Sequence, residues 1–81
     1  MRVVGEIQHP TIKITLFHWN NKYLIKLETP FLEQTFKIPE HDLTSDEELR
    51  EIIDGPFLNE VISRFEGMSK SLGESMARNQ I

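Results

Sequence analysis

The sequence predicts an α+β fold, a four-stranded antiparallel meander sheet followed by two helices packed on one of its faces. The main observation is a change of hydrophobic period, from two residues in 1–38 to about 3.6 residues in 39–81. The second observation is size, because 81 residues with 38% hydrophobic side chains supply one core and no more. We therefore expect a single α+β domain over residues 1–81.

The central hairpin is the clearest local prediction. Apolar residues alternate with other residues from Ile12 onwards, and Asn20-Asn21 then supplies two residues that tolerate the positive φ of a two-residue turn. A turn there sets Leu16 opposite Ile25. One sheet face is then almost wholly apolar, and a one-residue slip would exchange the two faces.

The flanking strands are predicted from turn residues. Thr29-Pro30 marks the next turn, and the strand 32–38 then sets Lys26 opposite Glu33 and turns Gln34 towards the core, opposite Ile25.

Upstream, a turn over residues 8–11 sets Glu6 opposite Lys13. It also places Val3, Gly5 and Ile7 on the apolar side and Val4 on the opposite side.

Two helices complete the predicted fold. Ser45 with Glu48, or Thr44 with Glu47, matches a capping box at the start of a short helix over 44–54. Asp54-Gly55-Pro56 ends that helix and begins the next. A long helix is predicted over 56–78, and its stretch from Pro56 to Ala77 alone is about 33 Å long. An eight-residue strand spans about 27 Å, so the helix is expected to extend past the sheet. Gly67 and Gly73 leave fraying of its last turns as an alternative.

The predicted core lies between the apolar sheet face and the two helices. Its members are Val3, Ile7, Ile12, Ile14, Leu16, Tyr23, Ile25, Leu27, Leu32, Phe36, Ile38, Leu49, Ile52, Ile53, Leu58, Val61, Ile62 and Phe65.

Apolar residues left over on the outer sheet face form the first candidate site. Val4, Phe31 and Arg2 are expected on the same face. Three readings stay open: a solvated surface covered by lysine stems and carboxylates, self-association, and a foreign ligand. The candidate interaction patch is Phe17, Trp19, Leu24, Lys22, Lys26 and Lys37.

The end of the long helix is the second candidate site. Met68, Leu72 and Met76 continue the apolar stripe of the helix, and the last two lie beyond the sheet, where the monomer offers them no neighbour. Pairing of this helix with a second copy predicts a homodimer. The competing interpretation is a frayed tail.

Catalytic and metal chemistry find little support. No serine of the long helix has a histidine three or four residues away, and His9, His18 and His41 do not form a metal-ligand pattern. There is no glycine-rich phosphate loop. We therefore expect no enzymatic activity, no cofactor and no metal, and we expect His18 to stack on Tyr23.

Composition adds expectations about location. No apolar run is long enough to cross a bilayer, and no secretory signal is visible, so no membrane association is expected. The chain has no cysteine, which fits a reducing cytoplasm.

Nucleic-acid binding is the alternative function. Trp19, Phe17 and Tyr23 lie near cationic residues in a sheet half with five bases and three acids, whereas residues 39–81 carry four bases and ten acids. Four strands followed by a helix that pairs two chains resembles, in layout alone, the transcriptional coactivator family that binds single-stranded DNA. The net charge of −4 and the glutamates on the same face oppose this alternative. The favoured prediction is a non-enzymatic protein-interaction module, a cytoplasmic homodimer with a possible further protein partner.

Overall fold

The computed structural model describes all residues, Met1–Ile81, and confirms the α+β fold. Four antiparallel strands form one sheet in the order β1-β2-β3-β4, and two helices follow, the second one long. A short 3-10 turn over Glu40–Asp42 joins the sheet to the helices. The elements are β1 Arg2–Ile7, β2 Lys13–Trp19, β3 Lys22–Glu28, β4 Glu33–Pro39, α1 Asp46–Ile52 and α2 Gly55–Arg78.

The β2–β3 hairpin has the predicted register. Asn20 and Asn21 have φ values of 53° and 62°, as a two-residue turn between twisted strands requires. Leu16 pairs with Ile25, and every other pair along the hairpin also agrees with the prediction. Ile14 and Leu16 are 1% exposed, so the predicted apolar face is the buried one.

Strand β1 differs from the prediction because it contains a β-bulge. Its register shifts between Val3 and Gly5, so Val3 pairs with Phe17 on the outer face while Val4 packs against the core. Glu6 lies opposite Thr15, not Lys13.

The bulge adjoins a close approach between β1 and α1. The guanidinium of Arg50 crosses over Gly5, where a Cβ would collide with it, and its Nη1 donates to the carbonyl of Glu6 at 3.2 Å. The β-bulge in β1 therefore lies where Arg50 of α1, which is distant in the sequence, contacts this strand.

The register of β4 also differs from the prediction, by two residues. Lys26 pairs with Thr35 instead of Glu33, and Gln34 lies opposite Leu27 instead of Ile25. The connection runs from Thr29 to Leu32 and closes with a hydrogen bond from the amide of Thr29 to the carbonyl of Leu32 at 2.9 Å. A shift of two residues keeps every side chain on its predicted face.

Helix α1 begins at the first of the two predicted capping boxes, Ser45 with Glu48, and α2 begins at the predicted Asp54-Gly55-Pro56 boundary. The hydroxyl of Ser45 accepts from the amide of Glu48 at 3.3 Å, and the carboxylate of Asp54 accepts from the amide of Phe57 at 3.0 Å. Helix α1 is two residues shorter at each end than the predicted 44–54, and α2 begins one residue before the predicted 56–78.

The core lies between the sheet and the helices, and its membership differs from the predicted list. Val3 and Ile52 are exposed, and Ile62 is half-buried outside the core cluster. The residues packed against the core also include some that were not predicted, which are Val4, Leu43, Phe57 and Met68. The buried members of the core are Ile12, Ile14, Leu16, Ile25, Leu27, Leu49, Ile53, Val61 and Phe65.

Helix α2 runs antiparallel to β4 and then continues past the sheet. Phe57 contacts Phe36 edge to face, with ring centroids 5.1 Å apart. The carbonyl of Val61 accepts a hydrogen bond from the side chain of Gln34, and Phe65 lies beside the β3–β4 turn. The molecule is therefore elongated, with extents of 48 × 26 × 18 Å. Neither helix has the length and hydropathy needed to span a membrane.

Candidate interaction surfaces

The end of α2 presents apolar side chains that the monomer does not cover. Met68 is half-buried against the core, Leu72 is 50% exposed and Met76 is 39% exposed. The helix is continuous to Arg78. On the polar side of this segment Lys70 lies 4.0 Å from Glu74, so the end of α2 keeps an apolar side and a charged side beyond the core.

A groove lies between this segment of α2 and the β3–β4 turn. It has a volume of about 680 Å³, and Phe31 stands at its edge with 91% of its surface exposed. Leu32, Phe65 and Leu72 supply the remaining apolar lining, while Glu66 and Lys70 are also part of the wall. Phe31 was predicted on the outer sheet face, and no pattern in the sequence indicates this groove.

The outer sheet face holds the predicted patch in altered form. Trp19 is 50% exposed and Phe17 is half-buried, but Leu24 is only 7% exposed because neighbouring side chains enclose it. A shallow depression of about 190 Å³ lies over Phe17 and Leu24, with Met1 at its edge. The expectation that Leu24 offers contact area is therefore corrected.

The charges on the outer face nearly cancel. Four lysines share it with three glutamates, and the Nζ of Lys26 lies 3.9 Å from carboxylates of both Glu28 and Glu33. Lys22 and Lys37 are exposed and form no ion pair within the chain. Arg2 was expected among these lysines. Instead it pairs with His18, and its charge acts on Tyr23 on the other side of the sheet.

A polar cluster joins the end of the sheet to the helical half. His18 contacts Tyr23, as predicted, but edge to face and not stacked, with ring centroids 5.0 Å apart. The Nε2 of His18 lies 2.5 Å from the carboxylate of Glu40. A hydrogen bond with Asp46 raises the pKa of Tyr23 above 10.0, burial and the charges of Asp46 and Glu40 raise it further, and Arg2 opposes the shift. Contacts from β2, β3, the 3-10 turn and α1 thus meet at this end of the sheet.

Gln34 finds its hydrogen-bond partners on α2. Its Nε2 donates to the carbonyl of Val61 at 2.9 Å, and its Oε1 accepts from Nε of Arg64 at 2.9 Å. Arg64 also lies over the ring of Phe36 at 5.8 Å. The one polar residue that the strand pattern turned inwards therefore joins β4 to α2.

Titratable side chains elsewhere do not converge. No group of three or more histidine, aspartate or glutamate side chains is placed to hold a metal ion. No buried side-chain nitrogen or oxygen lacks a hydrogen-bond partner.

Compared with models of known protein families, with curated proteins and with solved structures, the chain shows no significant match.

Proposed function

We propose that this chain is a non-enzymatic protein-interaction module that acts as a homodimer in the cytoplasm. The observation that carries the proposal is the uncovered apolar side of α2 beyond the sheet, with Leu72 and Met76 on the helix and Phe31 across the groove. Contiguous exposed apolar surface of this kind is typical of association sites. The absence of cysteine is the basis for placing the protein in a reducing compartment.

A non-enzymatic role is supported by how the reactive side chains are engaged. His18 is occupied by Glu40 and Tyr23, and the wall of the largest groove carries Glu66 and Lys70 without a histidine or a metal-ligand set. The groove suits contact with a protein surface better than proton transfer to a substrate.

Sedimentation equilibrium tests the homodimer. We expect a mass of twice 9.5 kDa at tens of micromolar protein, and loss of dimer on Leu72→Gln or Met76→Gln, because an amide there leaves less apolar surface to bury. Ser71→Gln is the matched control, since Ser71 is an exposed neighbour off the apolar stripe. A wild-type monomer at these concentrations contradicts the homodimer.

The outer sheet face is the second part of the proposal, as the contact surface for a further protein. Trp19 and Phe17 supply apolar and aromatic area there, and Lys22 and Lys37 are exposed cations without partners in the chain. Trp19→Ala and Phe17→Ala are expected to weaken partner binding or self-association. If both variants leave oligomeric state and partner capture unchanged, this face is ordinary surface.

Single-stranded nucleic-acid binding is the second candidate, favoured by the half-exposed Trp19 beside Lys22. Its electrostatic support is weak, because three glutamates oppose four lysines on the face. Fluorescence titration of Trp19 with an oligonucleotide at low salt tests it. Binding that weakens steeply with salt supports this candidate, and no signal at high micromolar protein contradicts it.

A further inference from the structure

We infer that β4 pairs with β4 of a second copy, so that two four-stranded sheets join into one antiparallel sheet of eight strands. The inference rests on the proposed homodimer and names the surface that forms it. It is carried by the open edge of β4, by the incomplete cover over its inward side chains and by a charge pattern that is complementary to itself.

The two edges of the sheet are unequal. Edge β1 contains the bulge at Val4, and the carbonyl of Glu6 accepts from Arg50. Edge β4 pairs with β3 along its whole length without a register shift, and no hydrogen bond outside the sheet involves the backbone of residues 33–39. Bulges and covered groups protect an edge from further pairing, so β1 is the protected edge and β4 is open as far as Pro39, which has no N–H to donate.

The side chains of β4 are incompletely covered. Gln34, Phe36 and Ile38 point towards the helices yet are only half-buried, whereas their neighbours Ile25 and Leu27 on β3 are at most 1% exposed. Helix α2 therefore covers the middle of the sheet more fully than its β4 edge. A strand added beyond β4 extends the apolar layer at the place where it is thinnest.

The charges on β4 select a second copy as the added strand. Glu33, Thr35 and Lys37 share the outer face, and antiparallel pairing about a two-fold axis at Thr35 sets each Glu33 directly opposite Lys37 of the other copy. The same register sets Leu32 opposite Ile38, which are apolar and half-buried. A two-fold axis at Glu33 or Lys37 sets like charges opposite each other, and one at Gln34 or Phe36 pairs no charges.

The same two-fold axis also gives the projecting end of α2 a neighbour in the second copy. Because α2 is antiparallel to β4, its free end passes the Glu33 end of the strand. Antiparallel pairing brings the partner's Pro39 end to that position. Leu72 and Met76 are thereby directed towards the flank of the second copy, where their exposed apolar surface has a neighbour.

A charge-reversal series measured by sedimentation equilibrium tests the inference. Lys37→Glu and Glu33→Lys each replace two opposite-charge pairs by two like-charge pairs, and each is expected to weaken the dimer by about tenfold or more. The double variant Glu33→Lys with Lys37→Glu restores opposite charges and is expected to return to within about threefold of wild type. Lys13→Glu is the matched control, because it makes the same charge change on β2, two strands away from the β4 edge, and is expected to leave the dimer unchanged.

Cysteine cross-linking tests the register. The chain has no cysteine, and Thr35→Cys places two thiols directly opposite each other on the two-fold axis, within disulfide distance. We expect rapid oxidation to a covalent dimer, and none for Ser71→Cys.

The outcomes separate this inference from the homodimer itself. A monomeric wild type overturns both proposals. A wild-type dimer that is indifferent to all charge variants, with no cross-link at residue 35, overturns the β4 pairing alone.

Discussion

Gln34 is a polar residue that the alternation of strand β4 turns towards the core, where its side-chain amide needs hydrogen-bond partners. Alternation turns this amide towards an apolar layer, and a half-buried amide in such a place requires partners. The carbonyl of Val61 and the guanidinium of Arg64 supply them. Because both partners lie on α2, Gln34 links the edge strand to the long helix.

Gln34→Ala is expected to lower the free energy of unfolding by about 1–2 kcal/mol, because two side-chain hydrogen bonds are lost. Urea denaturation followed by circular dichroism measures the change, and Glu60→Gln on the exposed side of α2 is the control, expected within about 0.5 kcal/mol of wild type. Equal stability of the two variants contradicts the role given to Gln34.

Tyr23 gives a spectroscopic measure of the polar cluster, because it is the only tyrosine in the chain. Its pKa is raised above 10.0 chiefly by the hydrogen bond with Asp46, with burial and nearby carboxylates adding to the shift. In a titration followed by tyrosinate absorbance, we expect ionisation above the ordinary value in wild type. In Asp46→Asn we expect ionisation closer to that value.

The same shift predicts a pH dependence of stability. The folded state holds the Tyr23 proton more tightly than the unfolded state, so the stabilisation is fully present below pH 10.0 and declines as the pH rises towards the folded pKa. Thermal unfolding above pH 10.0 is expected to show a larger loss in wild type than in Tyr23→Phe. Parallel curves for the two proteins contradict this linkage.

At the scale of elements, the β2–β3 hairpin is determined by its turn. Asn20 and Asn21 both have positive φ, which asparagine tolerates and β-branched residues do not. A two-residue loop permits only one register between β2 and β3, and that register also buries the apolar face of the two strands.

Asn21→Val is expected to lower the free energy of unfolding by about 1–2 kcal/mol, because a β-branched side chain in the left-handed region is strained. Asn21→Gly is the control and retains the turn, since glycine adopts positive φ readily. Chemical denaturation compares the two. A valine variant as stable as the glycine variant contradicts the assigned turn geometry.

At the scale of the whole molecule, the length of α2 sets the shape. The radius of gyration is 14.8 Å, whereas a compact chain of this length has about 12 Å. The difference arises because α2 continues to Arg78, well past the β3–β4 turn. An elongated monomer with apolar residues on its projecting end is suited to covering a second copy.

Small-angle X-ray scattering tests this shape on the Leu72→Gln variant, which is expected to be monomeric. We expect a radius of gyration close to 14.8 Å. A value near 12 Å shows that the end of α2 has folded back, and removes the projecting surface on which the homodimer is based.

The candidate interaction surfaces were only partly predictable from the sequence. The helical period placed Leu72 and Met76 on one stripe, and the lengths of helix and strand placed them beyond the sheet. The groove beside Phe31 was not predictable, because it depends on which end of the sheet α2 passes. Leu24 was misjudged because its neighbours across three strands, not its own strand, decide its exposure.

The sequence by itself determined the features that short-range geometry controls. These are the hairpin turn at Asn20-Asn21, the faces of β2 and β3, and the helix caps at Ser45 and Asp54. Only the tertiary structure decided the bulge in β1 and the two-residue shift of β4. Longer connections leave the register open, and contacts of Arg50 with β1 and of α2 with Gln34 then choose among alternatives that local geometry permits.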